Sequence, residues 1–474
     1  MLKKYSEILF VTVIVLLGIV LRTYRISEPV ADWHSWRQAD TASVAREYVK
    51  HGINLLYPTY HDLSSIPSGL DNPHGYRYVE FPMRDAANAL LAIHFPQISL
   101  VEWGRIISIV ASGISILFLY LIMRLTSSKF AAGVTAFVYA VIPYNLFYGR
   151  VILPEPWLVA FSLISLYGYM RWWKKGNAWW YVLSLVTLTL ANLLKPTALI
   201  ILVPMYLYSL TSRRPIRDYV FALLLPVVSL VPFGLWRNWI KQFPAGIPAS
   251  SWLFNGNGIR FKGAWFHWLF GDRMGRLILG YWGLIPFGIG LTALGKRKEE
   301  TMIVGGMLLG ALAYITIIAT GNVQHDYYQI QIIPALAMTV GLGVDKMIAE
   351  KHGLGKGVGI LLAGFCLALM VSLGWYEVRG YFNINVPAIV AAGQEIDKIT
   401  PPDAKVIAPY QGDTAFLFQT NRTGWPIGDN IDLDIKAGAT YYVTTTRDAE
   451  YQALKAKYTL VTENDQYSII KLVK

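Results

Sequence analysis

Residues 31–40 (A-D-W-H-S-W-R-Q-A-D) bring together the carboxylates of Asp32 and Asp40, the imidazole of His34, the guanidinium of Arg37 and the indoles of Trp33 and Trp36. Carboxylates and imidazoles can take or return a proton during a reaction. A guanidinium can hold a phosphate or carboxylate through two hydrogen bonds. Each residue also has an ordinary reading. Trp33 and Trp36 suit a membrane boundary, and Arg37 and Asp40 are spaced for a helix-surface pair worth about 0.2–0.5 kcal/mol. Asp32 can cap a turn, and His34 reads best as a boundary residue without a ligand. The cluster gains meaning from the other ionisable residues that the chain brings to the same level.

Placing those residues requires the chain to be divided into its elements. Of 474 residues, 54% are hydrophobic and 15% are charged, whereas soluble domains carry about a quarter charged residues. Many apolar runs reach the roughly 20 residues that cross a bilayer. The composition is that of an α-helical polytopic membrane protein. Residues 8–21 follow Lys3 and Lys4 as a secretory leader would, but they lack a small-residue cleavage site and run on into Arg22 and Arg25, which marks a retained anchor. The net charge of +12 sits largely in short loops between apolar segments, which points away from nucleic acid. The single cysteine, Cys366, excludes an intrachain disulfide.

Eleven membrane segments are expected, at about 6–22, 104–124, 130–147, 156–172, 179–194, 197–211, 218–236, 275–295, 301–320, 329–347 and 357–376. Lys and Arg concentrate at Lys3 and Lys4 and in the loops 124–129, 171–175, 213–217, 296–298 and 346–356. If every segment crosses once, all six fall on one side, so the N-terminus is expected in the cytoplasm and the protein in the plasma membrane. Residues 1–376 then form a membrane module, with an outer first loop at 23–103. Residues 377–474 form a small outer α/β domain, with helices at 386–399 and 448–457 and strands at 405–409, 440–444, 458–461 and 467–473. Within the first loop, Val44, Ala45, Tyr48 and Val49 mark a short amphipathic helix lying in the interface, and residues 81–95 mark a second. The loop at 240–273, rich in Gly, Pro, Trp and Phe, is placed to cover a site.

This topology gathers Asp32, His34, Arg37, Asp40, Glu80, Arg84, Arg150, Glu155, Lys195, Arg237, His325 and Asp326 at the outer membrane edge. Arg150, Lys195 and Arg237 run against the positive-inside trend. Each alone can be an anchor whose charge reaches the headgroups; together they suit a phosphate held at the interface. No Gly-rich phosphate loop in a strand–turn–helix context and no H-E-x-x-H occurs, so nucleotide binding and zinc proteolysis find no support.

The ordered set W-R-Q-A-D-T (36–41), V-E-F-P (79–82), L-P-E-P (153–156), L-K-P (194–196) and H-D-Y-Y (325–328) resembles the GT-C membrane glycosyltransferases. The similarity is to the superfamily of dolichyl-phosphate-mannose protein mannosyltransferases and bacterial aminoarabinose transferases. It covers most of the membrane region, and the tail matches in position alone. The resemblance implies transfer of a sugar from a polyprenyl-phosphate carrier to a glycan, lipid or protein acceptor outside the cytoplasm. Where the family pattern has adjacent acidic residues early in the first outer loop, this chain has Arg37-Gln38, with Asp32 and Asp40 on either side. Glu155 matches the later acidic position.

The reaction so implied is a one-step displacement at the anomeric carbon. Asp40 is the first choice for the base, with Asp32 and Glu80 behind it, and Glu155 would hold acceptor or sugar. Lys195, Arg237 and His325 are expected on the phosphate, with Arg37, Arg150 and Tyr327 as further substrate-binding residues. No cofactor is required, and a divalent cation is compatible with the carboxylates. A transporter or flippase of lipid-linked sugars is the alternative; it would place its essential polar residues near mid-membrane. A non-catalytic scaffold would bind partners through the tail.

Overall fold

The structure is a computed structural model that describes residues 2–349 and 355–473, with side chains from Tyr5 onward. The side chains of Lys3 and Lys4, and residues 350–354 of the last basic loop, lie outside the described residues.

Prolines and caps set the helix ends near the site. Helix α1 (Leu2–Arg22) leads into the first long loop, which holds α2 (Ser35–His51) and α3 (Met83–His94). Helix α4 (Leu100–Thr126) opens on a reciprocal cap. Ser99 Oγ accepts from the Glu102 N–H at 3.2 Å, and the Glu102 carboxylate accepts from the Ser99 N–H at 2.9 Å. Helix α5 (Lys129–Val141) stops because Pro143 drives Ile142 to an extended ψ of 118°, and α6 (Pro143–Tyr148) restarts from it. The segment expected as one span at 130–147 is therefore broken. Helix α7 (Glu155–Lys175) begins between Pro154 and Pro156 and ends at Gly176, whose φ of +71° is left-handed. Helix α8 (Ala178–Leu194) ends because Pro196 holds Lys195 extended, at φ −154° and ψ 131°. Both prolines thus place a charged residue, Glu155 or Lys195, at a helix break.

A 3₁₀ turn then leads to α9 (Leu202–Ser209), followed by α10 (Ile216–Ile240) and the short α11 (Trp252–Asn255) and α12 (Gly263–Phe266). A π-helical stretch (His267–Ile278) precedes α13 (Leu284–Leu291), α14 (Lys298–Ile317) and α15 (Ala319–Gln324). A 3₁₀ turn at Asp326–Gln331 leads to α16 (Ile333–Ile348), and α17 (Lys356–Val378) completes the membrane module. Residues Ile333–Val344 of α16 are all buried. Its neighbours approach so closely that a Cβ on Gly341 would meet Thr135, and one on Gly343 would strike the Pro286 carbonyl.

Five stretches among the described residues are long and apolar enough to cross a membrane: Tyr5–Arg22, Leu100–Thr126, Ile216–Ile240, Lys298–Ile317 and part of Lys356–Ile399. Most of the other expected spans correspond to shorter or interrupted helices. The chain is a multi-pass helical membrane protein.

The tail folds as expected for an α/β domain: α18 (Pro387–Ile399), β1 (Lys405–Ile407), α19 (Ala415–Gln419), β2 (Thr423–Trp425), α20 (Ile431–Lys436), β3 (Ala439–Thr444), α21 (Ala449–Lys457), β4 (Thr459–Glu463) and β5 (Ser468–Lys471). The sheet order is β2-β1-β3-β5-β4, parallel from β2 to β3 and antiparallel beyond. Alternation along the strands fills two cores. Val406, Val443 and Ile469 face α18 and α19, while Ile407, Tyr442 and Ile470 face Tyr451 and Leu454 of α21. Sequence reading missed β2, α19 and α20, all six residues or shorter.

Helix α2 departs from the expectation of a surface-lying amphipathic helix. Nearly every residue from Ser35 to Tyr48 is buried, because Ala86 and Ala89 of α3, together with Tyr60, Ile152 and the C-terminal domain's Phe418, pack against it. Arg46 donates to the Phe418 carbonyl at 2.8 Å and stacks on the Phe418 ring at 4.6 Å. Leu63 N–H donates to the Gly424 carbonyl, and Gly424 N–H to the His61 carbonyl, at 2.8 and 2.9 Å. The low hydrophobicity of α2 reflects buried ion pairs rather than exposure to water.

Candidate active site

A cavity of about 470 Å³ opens where one set of helix ends meets the first long loop and the C-terminal domain. The start of α2 contributes Trp36, Arg37 and Asp40, and the extended segment before α3 contributes Arg77. The α8 break contributes Lys195, the end of α10 Arg237, and the turn before α16 His325 and Tyr327. Phe233, Leu253, Phe254 and Ile318 form an apolar wall, and Gly412 and Thr414 of the C-terminal domain also line the cavity. The Gly/Pro-rich loop expected to cover a site does so with residues 247–254.

The cations are arranged against carboxylates. Arg77 donates to one Asp40 oxygen at 2.6 Å, and the Thr414 hydroxyl donates to the other at 2.7 Å. Arg37 pairs with Glu80 and also donates to the Thr41 hydroxyl at 3.0 Å. Lys195 pairs with the fully buried Glu155, one of whose oxygens has no hydrogen-bond partner. The Lys195 ammonium also sits 4.7 Å from the centre of the Tyr328 ring. Arg237, also on the cavity wall, has no ion-pair partner among the described residues. A cation left unpaired beside an apolar wall is equipped to hold the anionic head of a lipid.

Burial pushes Glu80 up, but the charges of Arg37, Lys195 and Arg77 overcome it and hold the carboxyl below its usual range. Burial, aided by the charges of His34 and Lys195, brings His325 down to about 4, so at neutral pH it is an uncharged imidazole. Its Nδ1 has no partner, so it can serve as a hydrogen-bonding group rather than a cation. Burial also raises Asp62, on the same cavity, to about 6, against the hydrogen bonds from Ser64. Next to the cavity, burial works to raise Asp326, but the bond and charge of His34, 2.5 Å away, hold it at about 2. His34, read from sequence as a residue without a ligand, therefore has a partner. Tyr148 donates to the same carboxylate at 2.5 Å and Trp33 at 3.0 Å.

The structure brings Arg37, Asp40, Lys195, Arg237, His325 and Tyr327 to one cavity, with Glu80 and Glu155 behind as ion-pair partners. Two expected site residues are elsewhere. Asp32 is buried between Arg150 at 3.1 Å and Arg105 at 3.6 Å and accepts from Gln38 at 2.7 Å. Arg150 also donates to the Arg25 carbonyl and stacks on Phe382. This network ties the loop to the helix ends, and neither Asp32, expected as a base candidate, nor Arg150, expected to bind substrate, lines the cavity. Sequence reading missed Arg77, Asp62 and Thr414. Arg77 lies three residues before Glu80 and was legible as a further cation of that motif; Thr414 has no local signal.

Residues 96–239 match the family described as dolichyl-phosphate-mannose-protein mannosyltransferase. That stretch contains Glu155, Lys195 and Arg237 but neither Asp40 nor His325. The structure is similar to that of ArnT from Cupriavidus metallidurans bound to undecaprenyl phosphate, with a TM-score of 0.68 and 13% identity over 98% of both chains. It is also similar to archaeal oligosaccharyltransferase AglB from Archaeoglobus fulgidus, in complex with an inhibitory peptide and a dolichol-phosphate. There the TM-score is 0.60 and the identity 12%, over 94% of this chain and 70% of AglB. No curated protein matches the chain by sequence. The chain has the GT-C fold that its motifs implied.

Proposed function

We propose that this protein is a membrane glycosyltransferase that moves a sugar from a polyprenyl-phosphate carrier to an acceptor outside the cytoplasm. The observation that carries this reading is the cavity itself. Its apolar wall suits the start of a polyprenyl chain, Arg237 and Lys195 suit the phosphate, and Asp40 lies on the same cavity. The polyprenyl phosphates bound to ArnT and AglB support this choice of donor. The sugar and the acceptor are open choices of the site.

In the proposed reaction an acceptor hydroxyl oxygen forms a bond to the anomeric carbon as the bond from that carbon to the phosphate oxygen breaks. The hydroxyl proton passes to Asp40, and the bonding electrons leave with the polyprenyl phosphate. Negative charge grows on the phosphate as it departs, and Lys195 and Arg237 stabilise it there more than in the ground state. Neutral His325, whose Nδ1 has no partner among the described residues, is placed to hydrogen-bond to the phosphate. Glu155, buried behind the cavity, holds Lys195 in place.

The carboxylates were also read as compatible with a divalent cation. Among the described residues, no three His, Cys, Asp or Glu side chains are arranged to hold one, so no step is routed through a metal. Nothing in the site favours the transporter reading. The distribution of Lys and Arg supports a cytoplasmic N-terminus and eleven crossings, which would put the cavity and the C-terminal domain outside the cytoplasm. The test is to incubate the purified full chain in nanodiscs with undecaprenyl-phosphate-linked hexoses and pentoses together with a panel of glycan, lipid and protein acceptors, and to measure release of undecaprenyl phosphate. Release from at least one donor is expected; none from any would refute the proposal.

A further inference from the structure

Asp40 and Thr414 are 374 residues apart, yet they meet at 2.7 Å. The Thr414 hydroxyl also lies 3.2 Å from the Trp36 carbonyl, one turn before Asp40 on α2. Arg77 occupies the other Asp40 oxygen. A carboxylate held at both oxygens by separate donors cannot rotate freely, and each oxygen keeps a lone pair for a further proton or hydrogen bond.

The loop bearing Thr414 is itself fixed. Tyr410 and Gly412 N–H both donate to the Pro426 carbonyl, at 3.0 and 3.1 Å. Asp413 accepts from the Ala415 N–H at 2.7 Å and so starts α19. Behind it Gln419 donates to the Val30 carbonyl at 2.8 Å, and Arg46 holds Phe418. Thr414 and Gly412 both line the cavity.

Building on the glycosyl-transfer reading above, we propose that Thr414 is a positioning residue. Its hydroxyl, delivered by the C-terminal domain, fixes the Asp40 carboxylate in the orientation from which it takes the acceptor's proton. The C-terminal domain is on this account part of the reaction site and not an appendage to it.

The test compares Thr414→Val, which keeps the shape and removes the donor, with Thr414→Ser, which keeps the donor. With any donor that the wild-type full chain consumes in nanodiscs, Thr414→Val should lower kcat roughly tenfold while the KM for that donor stays at the wild-type value. Undecaprenyl phosphate binding should also stay at the wild-type value, and Thr414→Ser should restore the rate. Arg46→Met loosens the same domain contact away from the cavity and should leave kcat at the wild-type value. An unchanged kcat in Thr414→Val, or an equal loss in Arg46→Met, overturns the positioning role while leaving glycosyl transfer intact. Absence of turnover in the wild type overturns both readings.

Discussion

Asp40 and Arg77 form a nearly buried ion pair, 2.6 Å apart, between the first turns of α2 and the segment that leads into α3. Removing one partner of such a pair leaves a charge buried without compensation. Arg77→Gln should therefore lower stability by about 3–5 kcal/mol, measured by thermal or denaturant unfolding in detergent. A loss of tenths of a kcal/mol would mean that water reaches Asp40 freely.

Phosphate binding separates Arg237 from Lys195. Among the described residues Arg237 has no carboxylate partner to leave stranded, so Arg237→Ala should leave the protein folded and weaken undecaprenyl phosphate binding ten- to a hundredfold, as expected for about 1.5–3 kcal/mol. Lys195→Ala should weaken binding as well but also destabilise, because it exposes Glu155 to burial without its partner. The double variant Lys195→Ala/Glu155→Gln should recover stability without recovering binding. Wild-type affinity in Arg237→Ala, measured by titration in nanodiscs, would return that residue to the role of a boundary anchor.

Asp62 makes stability depend on pH. Burial raises its carboxyl to about 6 in the folded protein, above the roughly 3.9 of an unfolded chain. Its contribution is fully present below the unfolded value and is lost as pH rises through the folded one. Asp62→Asn should remove this slope between pH 4 and 7 and stabilise the protein at pH 8, by up to roughly 3 kcal/mol. Unfolding midpoints of the two proteins that run parallel across this range would show that Asp62 is not desolvated.

Much of the frame was legible in the sequence because it rests on local rules. Apolar runs marked the membrane segments, Pro154 and Pro196 marked helix ends, and strand-like runs marked β1, β3, β4 and β5, whereas Pro143 lay inside one expected span. The break at Pro196 identified Lys195 as a placed cation. The partners of these charges were not legible. Asp32 and Asp40 share one short motif, yet one faces Arg105 and Arg150 and the other Arg77 and Thr414. Which carboxylate meets the cavity is decided by where residues 77 and 414 fold back, and no spacing within 31–40 carries that information. The polar character of α2 pointed to exposure for the same reason, since its partners lie in distant segments.

Sidedness can be tested by labelling. Cysteines introduced at Ser68 or Asp429 should react with an impermeant maleimide added outside intact cells, and one at Lys175 should not. The native Cys366 is buried and is expected to stay silent. Outside labelling at Lys175 would overturn both the count of crossings and the external location of the cavity.

The central claim is that Asp40 takes the acceptor's proton. Asp40→Asn preserves size and most hydrogen bonding while removing the charge and the base. A general base contributes about 10²- to 10⁴-fold, so sugar transfer should fall by that order while undecaprenyl phosphate binding stays at the wild-type value. Asp32→Asn, Glu80→Gln and Glu155→Gln belong in the same assay. Near-normal transfer by Asp40→Asn, with collapse in one of the other three, would contradict the account.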